Sequence, residues 1–209
     1  MFVSSAAVYG GAPADVVLDE GSPLRPDSIY GASKAAAEML VTGYHAHFGL
    51  ETVILRPVSI YGPRRRTFSL PSYLVANALD GLPSRIRGGS QALDLINVED
   101  VARAIALALD TTIGVGRTYT IATGAQATFK QIADATRRLL PASRIEIEPG
   151  PGELGPEGRY RVDAAEHDLG FRADCDLEQG LRQMIEGLRQ RADLRAHARA
   201  ARTLIVGAD

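Results

Sequence analysis

The chain has 209 residues, 45% hydrophobic and 23% charged, with 23 Lys and Arg against 25 Asp and Glu and a net charge of −2. This is the balance of an ordinary globular domain, with no basic field for nucleic acid or an anionic membrane. No apolar run approaches the roughly 20 residues of a membrane helix, "MFVSSAAVYG" lacks the regions of a signal peptide, and a single cysteine, Cys175, excludes an internal disulfide.

In chain order, "MFVSSAAVY" (1–9) reads as a short buried strand that turns at Gly10-Gly11, and residues 12–27 read as a Pro-, Gly- and Asp-rich loop. A helix is predicted from Ser28 through "YGASKAAAEMLVTGYHAHF", with Gly49 as its stop. "ETVILRPVSIYGP" is a β-branched apolar run ended by Pro and Gly, so a buried strand. Strand, helix and buried strand in that order make a βαβ unit with a parallel sheet. Further on, "TFSLPSYLVANALDGL" reads as a helix, "ALDLINV" as a strand and "EDVARAIALALD" as an apolar helix with Glu99 and Asp100 in its first turn. "RTYTIAT" is another strand, "TFKQIADATRRLLP" a helix capped by Thr128, "RIEIEP" an edge strand and "PGPGELGPEG" a loop. The chain closes on one long or broken helix whose Ala/Arg-rich second half has little apolar periodicity and reads as a solvated tail.

Only two of the 23 basic residues are lysines, Lys34 and Lys130. Lys34 stands four residues after Tyr30, so on a helix the two project side by side. An ammonium beside a phenol favours the phenolate, which makes the phenol a usable acid or base. Lys is a compact charge with three donors, whereas the larger planar Arg fills the space where a ligand must sit. Ser4 and Ser5 end the first predicted strand, and the carboxyl ends of strands carry the ligand site of open α/β sheets. Ser, Tyr and Lys form a proton-handling set for a substrate hydroxyl. No side chain accepts hydride, so such a set implies nicotinamide. His45 and His47 are two apart on a helix and face different ways, so no metal site is expected.

"FVSSAAVYG", "YGASK", "LRPVSIYGP" and "LDLINVEDVARAI", in this order, resemble the extended short-chain dehydrogenase/reductase superfamily and, within it, the NAD-dependent epimerase/dehydratase family. The resemblance covers about 100 residues and continues weakly to about 185. It implies Tyr30 as the catalytic acid/base, Lys34 as its partner and a ligand of the nicotinamide ribose, and Ser5 as the residue on the substrate hydroxyl, with Ser4 beside it. Arg56, Pro57 and Val58 would line the nicotinamide, and Tyr61-Gly62-Pro63 would lead to the substrate lobe.

Three departures shape the expectation. Family members open with a Gly-rich turn whose helix amides hold the pyrophosphate. This chain starts at what resembles the fifth strand, so roughly the first 110 residues of a member are expected to be missing. Dehydratases carry an acid just after the catalytic hydroxyl, where this chain has Ala6 and Ala7, which argues against 4,6-dehydration. Ser59, Leu93 and Asn97 replace an Asn, an Arg and a His of nucleotide-sugar enzymes, and the run Arg64-Arg65-Arg66 reads either as a substitute for the lost phosphate-binding charge or as a solvated loop.

The expected fold is therefore α/β: a partial Rossmann-like doubly wound parallel sheet, first strands missing, plus a small C-terminal α/β substrate-binding lobe. Residues 1–62 would be the remnant of the NAD(P)-binding domain, 63–190 the lobe with a segment returning near 93–109, and 191–209 a helical tail. The expected function is an NAD(P)-dependent epimerase or oxidoreductase transferring hydride at a hydroxyl carbon of a sugar, nucleotide sugar or similar compound. The alternative is an inactive fragment or a non-catalytic binding module. The candidate residues are Ser5, Tyr30 and Lys34 for catalysis, Ser4, Tyr30, Lys34, Pro57 and Val58 for NAD or NADP, and Ser5, Ser59 and Arg64 for a carbohydrate-like substrate. A cytoplasmic protein is expected, with neither nucleic acid nor membrane as partner, and a homodimer is one option for the full-length form, its oligomeric state being left open by the sequence.

Overall fold

A computed structural model describes residues 1–151 and 158–206, with side chains to residue 200. In chain order the elements are β1 (Phe2–Val3), a 3-10 helix (Ala6–Tyr9), β2 (Val17–Leu18), α1 (Ile29–Phe48), β3 (Val53–Pro57), β4 (Ser59–Tyr61), α2 (Leu70–Leu79), β5 (Pro83–Arg87) and β6 (Ala92–Asn97). There follow α3 (Val98–Leu109), β7 (Arg117–Ile121), β8 (Gln126–Thr128), α4 (Phe129–Leu139), β9 (Arg144–Glu148), β10 (Arg159–Tyr160), α5 (Asp163–Leu169), α6 (Leu177–Arg189) and α7 (Ala192–Val206). Among the described residues no helix is long and apolar enough to cross a membrane.

The chain divides into two units: Met1–Ile60 with Asp94–Gln126 and Pro156–Asp174, and Tyr61–Leu93 with Ala127–Gly155 and Cys175–Asp209. The boundaries at 60/61, 93/94 and 126/127 fall inside β4, β6 and β8. More of the chain returns to the first unit than the segment 93–109 expected from the sequence, since 110–126 and 158–174 belong there too.

The first unit is built on a parallel sheet in the order β1-β3-β7. β3 is buried along its whole length, as a central parallel strand requires. Its core gathers Val8, Tyr9, Leu55, Ile96, Ala104, Tyr119 and Ile121. α1 begins as the sequence foretold: the Ser28 hydroxyl accepts from the Gly31 amide, and Gly49 ends the helix in the left-handed conformation. Only one stripe of α1 is buried, Gly31, Ala35 and Glu38, and its opposite face leaves Ile29 91% and Leu40 66% exposed.

Three expectations fail here. Residues 1–9 form a strand only at Phe2–Val3, because the Ser5 hydroxyl accepts from the Ala7 amide and starts a 3-10 turn. The loop 12–27 contains β2, which pairs in parallel with β10. The run 53–61 is two strands, not one: the Val58 amide makes the last ladder bond of β3, to the Ile121 carbonyl at 3.1 Å, Pro57 has no amide to offer a strand on the other side, and β4 begins separately at Ser59.

The second unit is organised around α2, whose residues Leu70 to Asn77 are all buried. That explains a helix apolar on every side. It packs against α4, α6, α7 and β5. β9 pairs in parallel with β5, a strand the sequence reading had passed over. Thr128 caps α4 in a reciprocal capping box with Gln131. The closing helix is broken at Gln190–Arg191, and its second half is no solvated tail. Leu194 and Ala198 of α7 are buried, and Arg195 and Arg199 both reach Asp80 at the end of α2. Of the predicted loop 149–158, residues 152–157 lie outside the described residues, as do 207–209 of the tail.

Candidate active site

The register of the first sheet sets one level along its carboxyl edge. Val3 lies opposite Leu55, and Pro57 opposite Ile121. The Ser4 amide continues the ladder to the Leu55 carbonyl at 2.7 Å. Ser4-Ser5, Pro57-Val58 and Ile121-Ala122 therefore leave three parallel strands at one end, the end where open α/β sheets bind ligands.

α1 is brought to that edge by a close backbone approach. A Cβ on Gly31 would lie 2.3 Å from the Ala7 carbonyl oxygen, so only glycine lets the first turn of α1 touch the 3-10 helix. Tyr30 and Lys34 sit on this turn and the next. The Lys34 ammonium donates to the Val3 carbonyl at 2.9 Å and lies 5.1 Å from the centre of the Phe2 ring and 5.9 Å from that of Tyr30. That bond uses one of three ammonium donors. Tyr30 is 55% exposed, open to a ligand.

The two serines differ. Ser5 accepts from the Ala7 amide at 3.2 Å, which leaves its hydroxyl proton uncommitted by that bond. Ser4 is buried, and its hydroxyl oxygen has no hydrogen-bond partner among the described residues. A buried hydroxyl left unmatched is costly, so it fits a polar group supplied by something other than the protein. Pro57 and Val58 are buried at the end of β3, and Ser59 is half-buried at the start of β4. Arg64 belongs to the second unit, on an exposed stretch before α2.

Arg56 corrects the expectation that it lines the nicotinamide. Its guanidinium is buried and grips Glu38 of α1, Nε to Oε1 at 3.0 Å and Nη2 to Oε2 at 2.6 Å. Its Nη1 donates to the Tyr9 hydroxyl at 2.9 Å and the Glu20 carbonyl at 3.2 Å. The Tyr9 hydroxyl also meets the Thr120 hydroxyl at 3.2 Å, and burial pushes its phenol up against the opposing pull of Thr120 and Arg56. Sequence reasoning missed this network, although a charge inside the apolar run "VILRPV" was a visible signal of a buried partner.

A second missed residue is Asp94 of β6. Its buried carboxylate accepts from the Thr123 amide and hydroxyl at 3.0 and 2.6 Å and from the Gly124 amide at 2.9 Å. It ties down the turn that follows β7. Burial raises its carboxyl above the ordinary aspartate range, more than the bonds from Thr123 and Gly124 lower it. Asn97 caps α3 by accepting from the Glu99 amide at 2.8 Å.

The chain is similar to known proteins over most of its length. A dTDP-glucose 4,6-dehydratase of Actinoplanes sp. is 33% identical over 193 residues, 88% of this chain and 58% of that protein. One from Neisseria gonorrhoeae is 32% identical over 199 residues, covering 88% and 57%. Among solved structures, the UDP-glucuronic acid 4-epimerase of Bacillus cereus in complex with UDP-glucuronic acid and NAD superposes with a TM-score of 0.78 at 27% identity, over 90% of this chain and 60% of that one. The UDP-glucose 4-epimerase of Thermotoga maritima with UDP-glucose gives 0.81 at 25% identity, over 90% and 62%. The chain thus spans less than two thirds of the length of these relatives. A family model described as the NAD dependent epimerase/dehydratase family matches residues 1–122, more than half of the 209, and the chain belongs to that family.

Proposed function

We propose that this chain carries the proton-transfer site of an NAD-dependent enzyme that epimerises or oxidises a hydroxyl carbon of a sugar, most readily a nucleotide sugar. The observation that carries the reading is the convergence of Ser4-Ser5, Tyr30 and Lys34 at the carboxyl edge of a parallel sheet, with the Ser4 hydroxyl unmatched. Tyr30 takes the proton of the substrate hydroxyl. Lys34 offers its charge to the Tyr30 side and its remaining donors to ribose hydroxyls. Ser5 donates to the substrate oxygen, and Ser4 meets a polar group of the bound cofactor. Pro57 and Val58 form an apolar wall for the nicotinamide, which supplies the hydride acceptor that no side chain provides. Ser59 and Arg64 are the proposed substrate contacts, a hydroxyl and a positive charge.

The relatives include dehydratases, yet loss of water needs an acid and a base at neighbouring carbons. The turn after Ser5 holds Ala6 and Ala7, and neither can serve. Epimerisation or plain oxidation is the reading that these side chains allow. The test is incubation of the protein with NAD and a panel of UDP- and dTDP-sugars, following reduced nicotinamide by absorbance and sugar configuration by NMR. Turnover that falls at least about 100-fold in Tyr30→Phe, with NAD affinity unchanged, supports the assignment. A folded protein that binds sugar nucleotide without turnover favours a non-catalytic binding module. Accumulation of a 4-keto-6-deoxy product overturns the exclusion of dehydration.

A further inference from the structure

One guanidinium joins the three parts of the site. Tyr9 stands four residues after Ser5, at the far end of the 3-10 helix. Glu38 stands four residues after Lys34, one turn further along α1. Both meet on Arg56, and the two residues after Arg56 are Pro57 and Val58. A planar fork with donors fixed in direction holds its partners at set distances and angles, unlike the flexible point charge of lysine. The grip extends to β7, because the Tyr9 hydroxyl meets Thr120, and the Thr120 amide donates to Glu20 at 2.7 Å.

Stability alone does not account for these charges. A buried ion pair is often no better than apolar residues of the same volume, since desolvation offsets the attraction. The pair also shields the site. Without Arg56, the Glu38 carboxylate would stand at the i, i+4 position from Lys34 and draw the ammonium along the helix, away from Val3 and Tyr30. With both Glu38 oxygens held by Arg56, Lys34 stays at the sheet edge.

We propose that Arg56 is a positioning residue: by gripping Glu38 and Tyr9 it sets α1 against the 3-10 helix, and so fixes Tyr30 and Lys34 relative to Ser5. This rests on the reading of Ser5, Tyr30 and Lys34 as the site. The test removes the charges while keeping the volume, in Arg56→Met/Glu38→Met. The variant is expected to unfold in urea at the parental midpoint, yet to lose most of the nuclear Overhauser contact between Gly31 and Ala7, and to turn over about 100-fold more slowly with KM little changed, the size expected of a misplacement near 1 Å. Tyr9→Phe, which keeps the ring and the Arg56–Glu38 pair, tests the second arm and is expected to weaken the same contact with a smaller loss of rate. It carries the test alone if the double variant does not fold. An unchanged Gly31–Ala7 contact in these variants overturns the proposal whatever the activity. A lost contact with an unchanged rate overturns it also. Tyr30→Phe, measured in parallel, separates the two failures: if it retains the parental rate, the site reading falls, and the contact measurement still decides the role of Arg56.

Discussion

Arg56 with Glu38 in the first unit and Arg195 and Arg199 with Asp80 in the second are the same chemistry in different surroundings. The Arg56 and Glu38 side chains are 6% and 5% exposed, whereas Arg195, Arg199 and Asp80 keep 15%, 29% and 23%. The first pair has given up its water and replaced it with further partners, Tyr9 and the Glu20 carbonyl. The second keeps some water and ties α7 to the end of α2, while Leu194 and Ala198 bury apolar surface beside it. Breaking the first leaves a stranded charge. Breaking the second leaves Arg195 its bonds to the Leu188 and Arg189 carbonyls and opens Arg199 to water. The same residue types thus fix geometry in one place and fasten a helix in the other, and burial decides which.

The sharpest way to break the comparison is to remove one partner from each cluster. Arg56→Met alone strips the buried Glu38 carboxylate of its guanidinium partner, with only the Lys34 ammonium one turn away to draw on, and is expected to cost about 3–5 kcal/mol. Urea denaturation against the double variant Arg56→Met/Glu38→Met measures it, since the double variant has no stranded charge and should lie close to the parent. A single-variant loss below about 1 kcal/mol would mean that water reaches Glu38, against its burial here.

A smaller effect is expected from Gly31→Ala. The added methyl meets the Ala7 carbonyl oxygen, a backbone atom with little freedom to move. Overpacking of this kind costs about 1–3 kcal/mol. Because the strain falls at the contact that seats α1 on the 3-10 helix, turnover should fall more than stability alone predicts. Parallel measurement of urea midpoint and rate checks this, and a rate that merely tracks the folded fraction would remove Gly31 from the positioning argument.

The two clusters also differ in how visible they were. Helix starts and stops were legible because they rest on single residues with local chemistry: Ser28 and Gly49 bound α1, and Thr128 caps α4. The order of blocks around Ser4, Ser5, Tyr30, Lys34, Pro57 and Val58 was legible as a resemblance to the family whose model matches residues 1–122. Arg56 and Glu38 are 18 residues apart, and their pairing exists only once α1 lies on β3. The 3-10 helix hid inside an apolar run because the Ser5 hydroxyl, acting on the Ala7 amide, outweighs the strand preference of its neighbours. α7 was misread because its Ala/Arg composition shows little apolar period, yet it packs on α2 with Leu194 and Ala198 buried among its described side chains. Arg64 kept its place as a charged exposed residue, and nothing in its local sequence says what it meets.

The smallest effect belongs to Asp80, and its pH dependence gives it a signature. Desolvation raises the Asp80 carboxyl, but the bonds from Arg199 and Arg195 together outweigh it and hold the group below its ordinary value of 3.8. A carboxyl depressed in the folded state contributes stability that is present above its unfolded pKa and lost as pH falls through the folded one. Asp80→Asn should therefore cost at most about 1 kcal/mol at neutral pH, the scale of a partly solvated ion pair. The difference between parent and variant should shrink as the pH drops below 3.8, and shrink as well in about 1 M salt, where the Debye length falls to about 3 Å. The Arg56→Met loss should survive the same salt, because ions do not enter a desolvated pair. Urea titrations of both variants at low and high salt test the two halves together. If salt weakened both losses equally, the first cluster would be solvated like the second, and the contrast between the two units would collapse.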